Sequence, residues 1–263
     1  QGEAAYNATL AAIEAGYRSI DTGSFYQNEE DLGRAIADCG VPRDDIFVTT
    51  KIWNSEQGFD EALHSFDVSA RKLGLDVVDL LLVHWPVKGK SASTWRALEK
   101  LYRDGRVRAI GVSNFEISHL RELAETARVT PMVNQVELHP LKSTKDLIAY
   151  CDGKGIRVEA WSPMAQNKVF DNAELVAIAK TLGRSVSQVV LRWHLQNGVV
   201  VIPKSSNPAR IKENIDVFDF SLDVATMQRI DALNEDLRLL GFEPDGLLPE
   251  LHEPPAKPWP YSL

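Results

Sequence analysis

Four side chains suited to proton transfer stand at the ends of three successive apolar runs. YRSIDTGSFY closes on Asp21 and carries Tyr26 a few residues later, IFVTTKIWN ends with Lys51 and Trp53, and DLLLVHWP ends with His84, Trp85 and Pro86. A phenol beside an ammonium is a usable acid near neutrality, because the positive charge stabilises phenolate and lowers a pKa that starts near ~10. On this reading Tyr26 donates the proton, Asp21 pairs with Lys51 and fixes it, and His84 hydrogen-bonds the oxygen on which charge develops. These roles suit the polarising of a carbonyl while hydride arrives from elsewhere, with Trp53 and Trp85 as an apolar wall that excludes water. No metal is needed, and the absence of H-x-H and H-E-x-x-H spacing leaves a metal-assisted hydrolase without ligands.

Taken singly, these residues have plainer readings. Asp21 can cap a turn and His84 can be a core histidine bonded to backbone. Lys51 is less easily dismissed, since an ammonium closing an apolar strand must reach water or a partner, and Asp21 is the partner at hand. Together, in this order, they form a constellation. The other histidines carry less: His64 and His119 are expected to be solvated on helices, His139 to serve turn chemistry beside Pro140, and His194 to pack or face the surface. Trp193 and Trp259 read as packing residues.

The elements that must hold these groups are strands alternating with helices. The sequence predicts strands at Tyr17–Thr22, Ile46–Ile52, Val77–His84, Val107–Val112, Met132–Leu138, Arg157–Trp161 and Val199–Pro203. Helices are predicted at Ala4–Ala15, Glu29–Asp38, Asp60–Lys72, Ser93–Arg103, Ile117–Thr126, Lys145–Lys154, Asn172–Leu182, Ser187–Gln196, Ala209–Ile215 and Leu222–Leu233. Asp171, Ser185 and Asp223 are candidate helix caps, and Gly40, Gly74, Gly105, Gly155 and Gly198 candidate helix exits. Continuous runs such as DLLLVH imply burial on both faces, as in parallel strands covered by helices. The class is therefore α/β, and with no G-x-G-x-x-G the (β/α)8 TIM barrel fits better than an open doubly wound sheet. The count is one strand short, so the first barrel strand is expected to be missing from the N-terminus. A single barrel domain is expected over residues 1–263, with the proline-rich stretch 240–263 as a loop over its mouth.

Composition narrows the function. The 263 residues carry a formal charge of −8, which disfavours a sequence-independent grip on nucleic acid, so any bound anion needs a local basic cluster. Cys39 and Cys151 are too few and too far apart for a disulfide scaffold or zinc site and read as reduced thiols. The apolar runs fall far short of the ~20 residues that span a bilayer, and QGEAAYNATL lacks the basic start and apolar core of a signal peptide. The expectation is a cytoplasmic monomer acting on a small molecule, with no nucleic acid, membrane or obligate protein partner.

The segments IDTGSFYQNE, TTKIWN, LLVHWP, IGVSNF, NQVELHP and IPKSSNPARIKEN resemble, in order, the serial motifs of the aldo-keto reductase family, nearest to the bacterial branch of 2,5-diketo-gluconate and small-aldehyde reductases. The resemblance spans about residues 4–233. It implies an NADPH-dependent carbonyl reductase with Asp21, Tyr26, Lys51 and His84 as its catalytic tetrad. It also implies a cofactor site: Thr22 beside the tetrad, Ser113, Asn114 and Gln135 at the nicotinamide carboxamide, and Trp161 stacked on the ring. Ser162, Pro163 and Met164 then fall near the pyrophosphate, Lys204, Ser205 and Arg210 match a 2′-phosphate clamp, and Glu213 and Asn214 lie on the adenine side. Asn207 stands where several relatives have a second basic residue. Arg suits bidentate phosphate contacts and Lys a point-charge contact, so NADPH is preferred over NADH. Rival readings are a cofactor-binding sensor module with little turnover and the metal-assisted hydrolase.

Overall fold

Hydrogen-bonded parallel strands, each followed by helix, recur along a computed structural model that describes residues 2–240 and 244. The described chain divides into two units, residues 2–134 and residues 135–240. In the first, α1 (Glu3–Glu14) precedes β1 (Ser19–Asp21), α2 (Glu29–Asp38), β2 (Phe47–Ile52), α3 (Phe59–Leu73), β3 (Val78–Val83), α4 (Ser91–Arg103), β4 (Val107–Ser113) and α5 (Ile117–Ala124). The strands pair in chain order, Asp21 opposite Thr49, Lys51 opposite Leu82 and Val83 opposite Val112. All six residues of β3 are buried, as the unbroken apolar run predicts for a strand covered on both faces. Its one acid, Asp79, accepts the Val48 N–H at 2.8 Å and pairs with Arg43 at 2.6 Å and Arg108 at 3.0 Å, so the buried carboxylate is fully compensated.

The second unit holds most of β5 (Val133–Glu137), then α6 (Lys145–Gly153), β6 (Arg157–Trp161), α7 (Ala173–Leu182), α8 (Val186–Gln196), β7 (Val200–Val201), α9 (Pro208–Ile215) and α10 (Val224–Asp231). β6 and β7 are parallel, Ala160 opposite Val201. Seven strands are thus found among the described residues, where the sequence predicts them. Ser185 and Asp223 cap α8 and α10 as expected. α7, however, is capped by Asn172, whose side chain accepts the Glu174 and Leu175 N–H groups, and not by Asp171, which closes the preceding 3-10 turn. The expected loop over residues 240–263, and Trp259 with it, lies outside the described residues apart from Leu240 and Pro244. Among the described residues no helix is long and apolar enough to cross a membrane.

Candidate active site

Strand alternation sorts the side chains of β2 into two faces. Thr49, Lys51 and Trp53 share one, while Thr50 points oppositely and donates its hydroxyl to Glu29 of α2 at 2.6 Å. Parallel register sets Asp21 of β1 opposite Thr49, one step before Lys51 on the same face, where the ammonium reaches its carboxylate, and the His84 N–H continues the ladder onto Ile52 O at 3.1 Å. Past Asp21 the chain makes a one-turn 3-10 helix, Ser24–Tyr26, closed by Tyr26 N–H to Gly23 O at 2.9 Å. Gly23 permits the turn to lie against the strand: a Cβ there would stand 3.3 Å from Lys51 Cβ and 3.5 Å from the Tyr26 ring. The four residues expected to act together are therefore brought together within the first unit.

Lys51 is completely buried. Its ammonium donates to the Asp21 carboxylate in a short ion pair and to Thr22 O at 2.8 Å, which offsets a desolvation cost of several kcal/mol. Nζ lies 5.1 Å from the centre of the Tyr26 ring, and the Tyr26 hydroxyl stands 3.3 Å from His84 Nε2. Burial raises the Tyr26 pKa, and the Lys51 charge, although it pulls the other way, does not overcome it. This corrects the sequence expectation of a phenol that is net acidified: the group is held protonated, with Lys51 easing the proton's departure. Burial, followed by the Lys51 charge, pushes His84 well below the usual imidazole range, so the ring is neutral and carries a single N–H.

Aromatic rings close around this group. Phe25 stacks on Trp53 with centroids 3.9 Å apart, and Trp53 meets His84 edge-on at 4.9 Å. Trp53 and Trp85 are both buried, and the Trp85 carbonyl accepts from Gln57 Nε2 at 2.7 Å. Thr22 donates its hydroxyl to Asn28 Oδ1 at 2.6 Å. Asn114, in left-handed backbone with φ 63°, donates Nδ2 to His84 O at 2.9 Å and to Ser113 Oγ at 3.1 Å, which ties the exit of β4 to that of β3.

The remaining predicted residues belong to the second unit. Gln135 donates Nε2 to Glu159 Oε2 at 2.6 Å on neighbouring β6, which ends at half-buried Trp161. Beyond it Ser162, Ala165, Gln166 and Asn167 all take positive φ, with half-buried Met164 among them. Such left-handed clusters store strain and recur at ligand-binding loops. Lys204 and Arg210 flank the start of α9, and burial together with the Arg210 charge lowers the Lys204 pKa. An ammonium that feels a neighbouring guanidinium suits an anion. Asn207 accepts the Ala209 and Arg210 N–H groups at 2.9 and 3.3 Å, so its service is as the helix cap. Ser205 Oγ accepts the Asn207 N–H at 3.1 Å, and Glu213 and Asn214 are half-buried late in α9.

Several residues of this neighbourhood carry no sequence signal. Ser24, Phe25, Asn28, Glu56 and Glu159 act through partners on other elements. His119, expected in solvent, is buried: its Nδ1 accepts the Glu116 N–H at 3.0 Å at the start of α5. His64 is exposed as expected, while His139 is buried with Nε2 3.1 Å from Glu137 Oε1.

The Aldo/keto reductase family model matches residues 1–235. Glyoxal reductase of Bacillus subtilis is 53% identical over 247 residues, covering 94% of this chain and 89% of that protein. Among solved structures, MGS-M4, an aldo-keto reductase enzyme from a Medee basin deep-sea metagenome library, is 44% identical with a TM-score of 0.92, over 94% of this chain and 92% of that one. A variant of Gox0644 in complex with NADPH is 43% identical with a TM-score of 0.88, over 92% and 89% of the two chains. The fold class expected from the sequence, parallel α/β of the (β/α)8 type, is carried by this likeness, with seven strands among the described residues.

Proposed function

This chain belongs to the aldo/keto reductase family, and from that premise we propose that it reduces small aldehydes and ketones with NADPH, Tyr26 delivering the proton. The observation that carries the reading is the Tyr26 hydroxyl 3.3 Å from His84 Nε2, with the buried Lys51 ammonium, paired to Asp21, 5.1 Å from the phenol ring. When bound, NADPH supplies the hydride. The tetrad's work is to orient the carbonyl and meet the charge that grows on its oxygen. Tyr26, kept protonated by burial, donates to that oxygen, and the Lys51 charge stabilises the phenolate left behind. His84, neutral, offers Nε2 beside the phenol; in the tautomer with its proton on Nε2 it donates to the same oxygen. Phe25, Trp53 and Trp85 keep water from the reacting carbonyl.

The residues suit the cofactor. Lys204 and Arg210 would hold the 2′-phosphate, with Ser205 as a further donor. On the family resemblance, Trp161 would support the nicotinamide ring, Thr22, Ser113, Asn114 and Gln135 would hold its carboxamide, Ser162 and Met164 would hold the pyrophosphate, and Glu213 and Asn214 the adenine. The Arg210 charge that acts on the partly buried Lys204 supports an anionic group there. Glyoxal is the first substrate to try, given the Bacillus relative, followed by methylglyoxal, a nitrobenzaldehyde and a keto-sugar acid.

The test is NADPH oxidation with this panel for wild type and Tyr26→Phe. Turnover is expected to fall by about 10²–10⁴-fold in the variant while NADPH affinity persists. Near-normal turnover without the phenol would overturn the assignment.

A further inference from the structure

We propose that Glu56 is a positioning residue for the proton donor, its carboxylate tying the turn that carries Tyr26 to the strand exit that carries Trp53. One oxygen, Oε2, accepts three hydrogen bonds from three elements: Ser24 Oγ at 2.6 Å from the Tyr26 turn, Trp53 N–H at 2.8 Å from the exit of β2, and Ser65 Oγ at 2.8 Å from α3. Ser24 Oγ also lies 3.1 Å from Lys51 O. A hydroxyl has one proton, and the shorter, charge-assisted bond to the carboxylate claims it.

The turn needs an outside anchor. It is a single 3-10 turn, held internally by Tyr26 N–H to Gly23 O and Gln27 N–H to Ser24 O at 3.2 Å, and it leaves through Gln27 in left-handed backbone with φ 52°. A turn this short has no cooperative stability of its own. Glu56 fixes two of its three residues. It holds Ser24 directly, and it holds Phe25 through Trp53, on whose ring Phe25 stacks and whose N–H the same oxygen accepts. The third residue is Tyr26. Glu56 touches no reacting atom, so its effect reaches the chemistry through where the phenol sits, and a displacement of about 1 Å there is worth up to ~10²-fold in rate.

The kinetic arm rests on the reductase reading; the exchange arm does not. Ser24→Ala removes only the tie to the turn, Ser65→Ala removes a bond to the same oxygen without touching the turn, Glu56→Ala removes all three, and Glu56→Gln restores an acceptor oxygen. Amide hydrogen exchange is followed at Tyr26 and Gln27, alongside kcat and KM for glyoxal and the NADPH dissociation constant. Ser24→Ala is expected to speed exchange at both amides and lower kcat, each about tenfold, the worth of one charged hydrogen bond, and Glu56→Ala, which also frees Trp53, by at least as much. NADPH affinity should stay unchanged, Glu56→Gln should recover most of the loss, and adding Ser24→Ala to Glu56→Ala should change nothing more. Ser65→Ala should leave exchange and kcat at wild-type values. The proposal is overturned if Ser24→Ala keeps wild-type exchange, or if Ser65→Ala loosens the turn as much. Should Glu56→Ala fail to fold, the Ser24 and Ser65 variants decide alone. Should wild type reduce no carbonyl, the reductase reading falls and the exchange comparison still judges the anchor.

Discussion

The Lys51 ammonium stands 5.1 Å from the centre of the Tyr26 ring while donating to Asp21 and to Thr22 O. It therefore acts on the phenol as a positive charge held in place by those acceptors. Burial raises the Tyr26 pKa and Lys51 lowers it, so removing the charge moves that pKa further up. Lys51→Met should lower kcat by about 10²-fold and shift the basic limb of its pH profile to higher pH. A limb that moved down would contradict this account. The same change leaves the Asp21 carboxylate without its ammonium and should cost about 3–5 kcal/mol in urea unfolding.

Arg210 tests the anion reading at the start of α9. Arg210→Ala should raise the NADPH dissociation constant by about 10–100-fold, the worth of charged hydrogen bonds to one phosphate. NADH, lacking that phosphate, should respond less than about twofold. Asn207→Ala is the control, since it loses a helix cap worth about 1 kcal/mol and no charge. Equal losses for both nucleotides in Arg210→Ala would remove the phosphate contact from the account.

His194 makes stability depend on pH. It is fully buried on α8 with Nδ1 2.8 Å from Val190 O and Nε2 3.0 Å from Leu138 O, and burial pushes its pKa down to about 4. Between that value and the ordinary 6.5 the unfolded chain binds a proton that the folded chain refuses. Stability is therefore complete above pH 6.5 and falls as pH drops to about 4, by about 3 kcal/mol in all. Urea titrations across this window should show a shallower slope for His194→Gln than for wild type.

Gly33 decides between helix propensity and packing. In the interior of α2 an alanine would gain about 1 kcal/mol of propensity. A Cβ there would meet the Leu73 backbone, with O at 2.5 Å and C at 2.7 Å. Backbone atoms at the end of α3 cannot swing aside as a side chain can, so Gly33→Ala should destabilise by about 1–3 kcal/mol. A raised melting temperature would show that α2 and α3 separate at little cost.

Legibility in the sequence followed how local the cause was. β3 could be read from VDLLLV because burial on both faces writes itself as an unbroken apolar run. Asp21, Lys51 and His84 could be read because each ends such a run, and parallel register places adjacent ends side by side. Ser24, Glu56 and Glu159 could not, because each acquires its role from a donor or acceptor on another element. The direction in which the Tyr26 pKa moves is illegible for a related reason: the nearby charge is visible in the sequence, and the burial that outweighs it is not. His119 looked like a surface residue beside charged neighbours, but the first turn of α5 uses its ring nitrogen to receive a backbone amide.

The four proton-handling side chains all precede residue 85, whereas the cationic pair at α9 lies beyond residue 200. Between them the chain folds into separate β/α repeats, so on the proposed assignment the grammar of acid delivery and the grammar of coenzyme choice are spelled in different exons of the fold, as it were. Selection can rewrite one stretch of sequence without editing the other: a graft of residues 204–214 from a relative with the opposite dinucleotide taste would carry that taste across while changing none of those four side chains.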